Sequence, residues 1–256
     1  MLYAQLPDMF HQMPGRWDVM RCLQCDLHWV HPMPHPDVLA ELYVNYHTHF
    51  QRASVFQRLM VATAVQYRLF SWRLIRAMFK GWLGKSRIGH YLTATLGTPT
   101  SLETIRLLDV GAGNGWFVRL MTDLGWEAWG VEPDPTAAHD AETRAKVPVI
   151  SASFDAALFP PSTWDVITFR HVFEHLPDPV STIKAADTLL KPGGRLVILC
   201  TNTASIGARQ FQDEWRGWEV PRHVFMYNPS NLARLVTTAG SFTIEVLETV
   251  LTPTLK

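Results

Sequence analysis

From Ile105 onward, short apolar or β-branched runs alternate with segments whose apolar residues recur every three or four positions. These two periods predict strands at 105–110, 127–132, 147–151, 164–169, 195–200 and 242–250. Between them they predict helices at 115–124, 135–145, 179–190 and 229–239, the last opening at Asn228-Pro229-Ser230 and closing at Gly240. Strand and helix in strict alternation imply an α/β fold, with a mainly parallel sheet covered by helices on both faces. Upstream the pattern changes to a helical amino-terminal extension. Phe56, Leu59, Met60, Tyr67, Leu74 and Met78 mark one face of a long helix over 52–82, and Arg58, Arg73, Arg76 and Lys80 gather on another side.

Charge divides the chain more sharply than hydropathy does. Between Glu41 and Glu103 no acidic residue occurs, while Arg52, Arg58, Arg68, Arg73, Arg76, Lys80, Lys85 and Arg87 supply eight cations. The turn-rich Gly97-Thr98-Pro99-Thr100 then marks a boundary. We read residues 1–50 as a small amino-terminal module, 51–100 as a cationic helical segment and 101–256 as the α/β domain. Segment 52–82 is read either as a lid helix with a solvated basic face, or as a segment for peripheral membrane attachment or for gripping a phosphorylated, lipid-linked or nucleotide-linked acceptor. Over the whole 256 residues, 23 basic and 23 acidic side chains cancel, which gives nucleic acid no global electrostatic reason to bind. Three cysteines, no basic-then-apolar leader pattern and no apolar run of about 18 residues make the cytoplasm the expected compartment.

The sharpest chemical signal is Leu107-Leu108-Asp109-Val110-Gly111-Ala112-Gly113-Asn114-Gly115, a strand running into a glycine turn that opens a helix. Such turns let the backbone pass close to a ligand at a helix start. A dinucleotide fingerprint would need glycine where Trp116 stands, which disfavours a nicotinamide-dependent oxidoreductase. The second strand ends at Glu132, a carboxylate able to accept two hydrogen bonds at once, as a ribose diol would require.

The string LLDVGAGNG, then GVEPD, ITFRHVFEHLPDP, LLKPGGRLVILCTN and PRHVFMYNPSNLARLVTTAG, resembles the class I S-adenosylmethionine-dependent methyltransferases over roughly residues 103–247. The resemblance implies a Rossmann-like fold and S-adenosylmethionine as cofactor. It places Asp109, Gly111, Gly113 and Gly115 around the methionine end, Glu132 on the ribose, Ser153, Phe154 and Asp155 beside the adenine, and Arg170 and His171 between cofactor and acceptor. It also implies a closing antiparallel strand pair, of which the sequence supplies one before ending at Lys256.

The stretch Arg21-Cys22-Leu23-Gln24-Cys25-Asp26-Leu27-His28-Trp29-Val30 resembles the second knuckle of a zinc-bearing module in the branch acting on sugars. One C-x-x-C pair supplies half of a tetrahedral set, so no metal is assigned. His171-Val172-Phe173-Glu174-His175 fits the H-x-x-E-H pattern of inverted zinc peptidases, but Leu176-Pro177-Asp178-Pro179 follows at once and leaves barely one helical turn. Glu174 and His175 are therefore read as fixing the loop after the fourth strand.

Ligands of open α/β sheets sit beyond the carboxyl ends of the strands, where the long segment 201–223 begins. Its Trp215 and Trp218, with Phe225 and Tyr227, have two readings, a flat wall for a ring or sugar face or ordinary core packing of each tryptophan. His223 and His171 are the candidate general bases, His223 preferred because it lies in that wall. The function expected is methyl transfer to a small molecule, with a sugar or lipid-linked glycan in view. The alternative is a non-catalytic nucleoside-binding or scaffolding protein.

Overall fold

The computed structural model describes residues 1–10, 12–35, 104–123 and 125–249. Segment 52–82, the boundary at 97–100 and the last residues of the chain lie outside the described residues. The described residues form two compact units, one from those within 1–35, 169–187 and 198–249, the other from those within 104–168 and 188–197.

The α/β sheet has five strands in the order β6-β5-β4-β7-β8. These are β4 (Arg106–Val110), β5 (Glu127–Glu132), β6 (Val149–Ser151), β7 (Trp164–Arg170) and β8 (Leu190–Leu199). The strands β4, β5 and β6 run parallel, with Asp109 opposite Gly130 and Glu132 opposite Ser151. Helix α1 (Trp116–Asp123) buries Phe117, Val118, Leu120 and Met121, a stripe at helical spacing that packs on β4 and β5. At about 1.5–3 kcal/mol for each buried side chain, that stripe outweighs any intrinsic preference of so short a helix. Helix α2 (Pro135–Asp140) starts where Asp134 accepts from the Thr136 amide, and it continues as a π-turn over Ala141–Ala145. Helix α3 spans Pro179–Leu189.

The second sheet is antiparallel, in the order β1-β2-β3-β9. Strands β1 (Tyr3–Leu6), β2 (Trp17–Arg21) and β3 (His28–His31) come from the amino terminus, and β9 (Phe225–Met226) comes from after the long insertion. Val19, Val30, Val220, Met226 and Trp218 form its core, with Trp215 and Tyr3 packed against them. The insertion contains helix α4 (Ile206–Phe211) and two short 3-10 turns. Helix α5 (Pro229–Ala239) has the expected start: Asn228 accepts from the Asn231 amide, and the Asn231 side chain accepts from the Asn228 amide. Gly240 closes it in an extended conformation, where a Cβ would meet the Phe242 ring at 2.7 Å.

The strand expected at 242–250 is not formed: its described residues, through Thr249, carry no strand. Ile244, Val246 and Leu247 are exposed there. The alternating pattern is present, but β-propensity is realised only against a neighbouring edge, and none is paired with this segment among the described residues.

Candidate active site

Gly111, Gly113 and Gly115 all adopt positive φ, at 70°, 56° and 74°, so the glycines are demanded by the backbone of the turn. At Gly115 a Cβ would also lie 2.7 Å from Val147 Cγ2 and 2.8 Å from Ala141 Cβ, which seats α1 closely beside the π-turn. The amides of Gly111 and Ala112 donate to the Val131 carbonyl at 2.8 and 3.1 Å. The Gly113 amide donates to Glu132 Oε2 at 2.7 Å, and Glu132 Oε1 accepts from the Asp134 amide at 2.9 Å. One carboxylate thus joins the glycine turn to the start of α2.

Glu132 is buried, and burial raises its pKa above the ordinary carboxylate value against the lowering effect of those two amides. Each of its oxygens has a second lone pair, so the carboxylate can still accept from a ribose diol. The residues fit a nucleoside, held by the turn's shape and by Glu132 more than by the amides of Gly111, Ala112 and Gly113, which already serve the protein.

Asp109 has no exposed surface, and its Oδ1 accepts from Thr168 Oγ1 of β7 at 2.6 Å. That bond ties the end of β4, where the glycine turn begins, to β7. Ser153 and Asp155 are exposed and Phe154 is half-buried in the loop after β6, where Asp155 caps a short 3-10 turn through the Ala157 amide. Arg170 is half-buried at the end of β7.

The other candidate residues gather in the first compact unit. His171 follows β7 with φ 57°, donates its amide to the Leu199 carbonyl and keeps 39% of its side chain exposed. Glu174 is fully buried; its Oε1 accepts from the Thr201 amide at 3.3 Å and lies 3.7 Å from His171 Nδ1. Burial alone would raise the Glu174 pKa, but His171, His175 and His223 together outweigh it and hold the carboxyl low. His175 and His223 meet edge to face with ring centroids 4.7 Å apart. His175 Nδ1 lies 3.0 Å from the Arg222 carbonyl and His223 Nδ1 lies 2.7 Å from the Gly217 carbonyl. Burial and the neighbouring His223 push the His175 pKa down to about 4.

H-x-x-E-H forms no helical face, as the short run before Leu176-Pro177 implies: His171 sits in a left-handed backbone position while Glu174 and His175 lie in one 3-10 turn, Phe173–His175. Of the two readings of the aromatic residues, core packing holds for the tryptophans: Trp218 lies in the core of the antiparallel sheet with Trp215 packed against it, while Tyr227 is buried and packs on Phe173. Sequence reasoning missed the meeting of Glu174 and His175 with His223, for which the literal motif was the available signal.

Cys22 and Cys25 are free thiols at the turn between β2 and β3. Backbone amides of Cys25 and Gln24 lower the Cys22 pKa. The turn is tied by an Arg21–Asp26 ion pair and, from α5, by Asn228 Nδ2 to Asp26 at 2.9 Å and Asn231 Nδ2 to the Cys25 carbonyl at 3.3 Å. Among the described residues no cysteine belongs to a cluster able to hold a metal ion.

A parallel sheet whose first strand enters a three-glycine turn, with a buried carboxylate at the end of the second, defines a nucleoside-binding Rossmann-like domain. Residues 84–245 match the family described as "Methyltransferase domain", and the chain belongs to that family. Its cofactor is S-adenosylmethionine. The chain is 33% identical over 108 residues to the ubiquinone biosynthesis O-methyltransferase of Colwellia psychrerythraea, covering 40% of this chain and 44% of that protein. It is 29% identical over 158 residues to the protein of the same name from Burkholderia pseudomallei, covering 55% and 66%. The chain therefore spans less than two thirds of the length of these relatives. Among solved structures it is similar to an S-adenosylmethionine-dependent methyltransferase from Archaeoglobus fulgidus, with 23% identity, a TM-score of 0.47, and 66% of this chain and 73% of that one covered.

Proposed function

We propose that this protein transfers a methyl group from S-adenosylmethionine to a hydroxyl of a small molecule. The observation that carries the proposal is Glu132, a carboxylate locked onto the glycine turn where a ribose diol would be read. Bound S-adenosylmethionine supplies an electrophilic methyl on a sulfonium. Glu132 accepts from the two ribose hydroxyls, the turn from Gly111 to Gly115 fits its backbone around the ligand, and Ser153, Phe154 and Asp155 border the base. His171 takes the proton of the acceptor hydroxyl as its oxygen forms the new bond to carbon and the carbon–sulfur bond breaks. His171 is preferred to His223 because it keeps exposed surface, whereas His223 is 4% exposed. The relatives' names support a hydroxyl acceptor. The Cys22–Cys25 knuckle supports a sugar or lipid-linked glycan as its carrier.

The test is calorimetry with S-adenosylhomocysteine, followed by transfer of labelled methyl to a panel of phenols, sugars, nucleotide sugars and lipid-linked glycans. Binding without transfer to any of them would favour a nucleoside-binding protein. Peripheral membrane contact through 52–82 is a further part of the proposal, supported by its run of cations. Pelleting with anionic vesicles should then be salt-sensitive and fall when Arg73, Arg76 and Lys80 become Gln. Equal pelleting with neutral vesicles would favour the lid reading. Among the described residues no helix is long and apolar enough to cross a membrane.

A further inference from the structure

A ligand atom from each of Glu174, His175 and His223 lies within 4.8 Å of the others. Three features of this cluster point beyond packing. Glu174 Oε2 is buried and makes no hydrogen bond, although leaving a buried carboxylate oxygen without a partner is costly. Both imidazoles face a backbone carbonyl through Nδ1, which places the proton there and leaves Nε2 as the lone-pair nitrogen. Metal-ligating histidines are commonly held this way, one nitrogen donating to a carbonyl so that the other is aimed and made more basic. Finally, Glu219 places a carboxylate oxygen 3.8 Å from His223 Nε2, so two acids flank the two imidazoles and the local field favours a cation.

We propose that Glu174, His175 and His223 form a binding site for one divalent first-row transition-metal ion. Two imidazoles and one carboxylate are a ligand set used for zinc and for ferrous iron, and they leave coordination positions open to a further ligand. Bonds of about 2.0–2.2 Å to the ion require the three side chains to draw together slightly from their present spacing. The proposal is independent of the methyl-transfer assignment, and it removes His223 from general-base duty, since its lone pair is engaged.

The test uses the full chain stripped of metal, titrated with Co²⁺ and followed by visible absorption and equilibrium dialysis. One ion per chain is expected, with nitrogen and oxygen ligation and no thiolate charge-transfer band, unchanged in a Cys22→Ser/Cys25→Ser variant. Loss of one ligand in Glu174→Gln or His223→Gln should weaken binding by about 100-fold or more, beyond what loss of an outer partner causes. A readout on the unmodified chain stands beside these variants: Zn²⁺ should shift the Nε2 resonances of two histidines in ¹⁵N spectra. Absence of stoichiometric binding, unchanged histidine resonances, or binding abolished by the cysteine variant and retained in Glu174→Gln would each overturn the proposal.

Discussion

Replacing Glu132 by Ala removes a group that does two things at once, and the structure allows the two losses to be separated. Without ligand, the carboxylate accepts from the Gly113 and Asp134 amides at 2.7 and 2.9 Å. Hydrogen bonds to a charged group contribute about 1.5–3 kcal/mol each, but burying that charge has a cost, visible in its raised pKa. The net loss of unfolding free energy should be about 1–3 kcal/mol, read from urea curves of the free protein. With a nucleoside bound, two further hydrogen bonds disappear. Allowing for water as a partial substitute, S-adenosylhomocysteine should bind about 2–4 kcal/mol more weakly, roughly 30- to 1,000-fold in Kd. Calorimetry on a variant shown to be folded measures this directly. The pH dependence gives an independent arm. Ionised Glu132 is the form that accepts from the diol, so affinity is full above its folded pKa and falls as pH drops through it, starting above the ordinary carboxylate range. Wild-type affinity in a folded Glu132→Ala protein would refute the placement of the ribose.

Gly115→Ala must place a side chain at φ 74° and 2.7 Å from Val147 Cγ2, so it should lower unfolding free energy by about 1–3 kcal/mol in denaturant titration. His171→Gln should reduce turnover by about 10²- to 10⁴-fold with S-adenosylhomocysteine affinity nearly unchanged; near-normal turnover at saturating acceptor would remove His171 as the base. Asp8→Ala removes the carboxylate 2.9 Å from the buried Arg222 guanidinium, in a pair whose side chains are 2% (Arg222) and 0% (Asp8) exposed, and should destabilise by about 3–5 kcal/mol in urea unfolding.

What was legible in the sequence was local. The turn at Gly111, Gly113 and Gly115 had to be glycine because of its own backbone angles, and the start of α5 was written in Asn228, Pro229 and Asn231. Strand ends around Glu132 followed from short apolar runs. What escaped depended on partners far along the chain. The two readings of Trp215 and Trp218, ligand wall or core, stay open because nothing nearby announces that Val19 and Val30 will join Trp218 in one core. The segment 242–249 has a strand's alternation without a paired edge. The bond from Thr168 to Asp109, across 59 positions, has no local signal in the sequence. Glu174 and His175 were legible as residues that fix the loop after the fourth strand, but their meeting with His223 was not, because it arises only in tertiary structure.

The antiparallel sheet also carries a consequence for how the chain is made. Its third strand pairs with residues 225 and 226, and the Asp8–Arg222 ion pair beneath it joins positions 214 apart. The β1–β3 hairpins leave the ribosome long before residues 222–226, which supply their last neighbour and the counter-ion of Asp8. Contacts of such long range close only after the loop entropy of the intervening chain has been overcome, which slows this step relative to the locally connected strands β4 to β6. During synthesis the β3 edge and the acid at Asp8 wait uncovered, so a ribosome-stalled chain ending before residue 222 should be protease-sensitive in its first 35 residues and protected once residue 249 has been released.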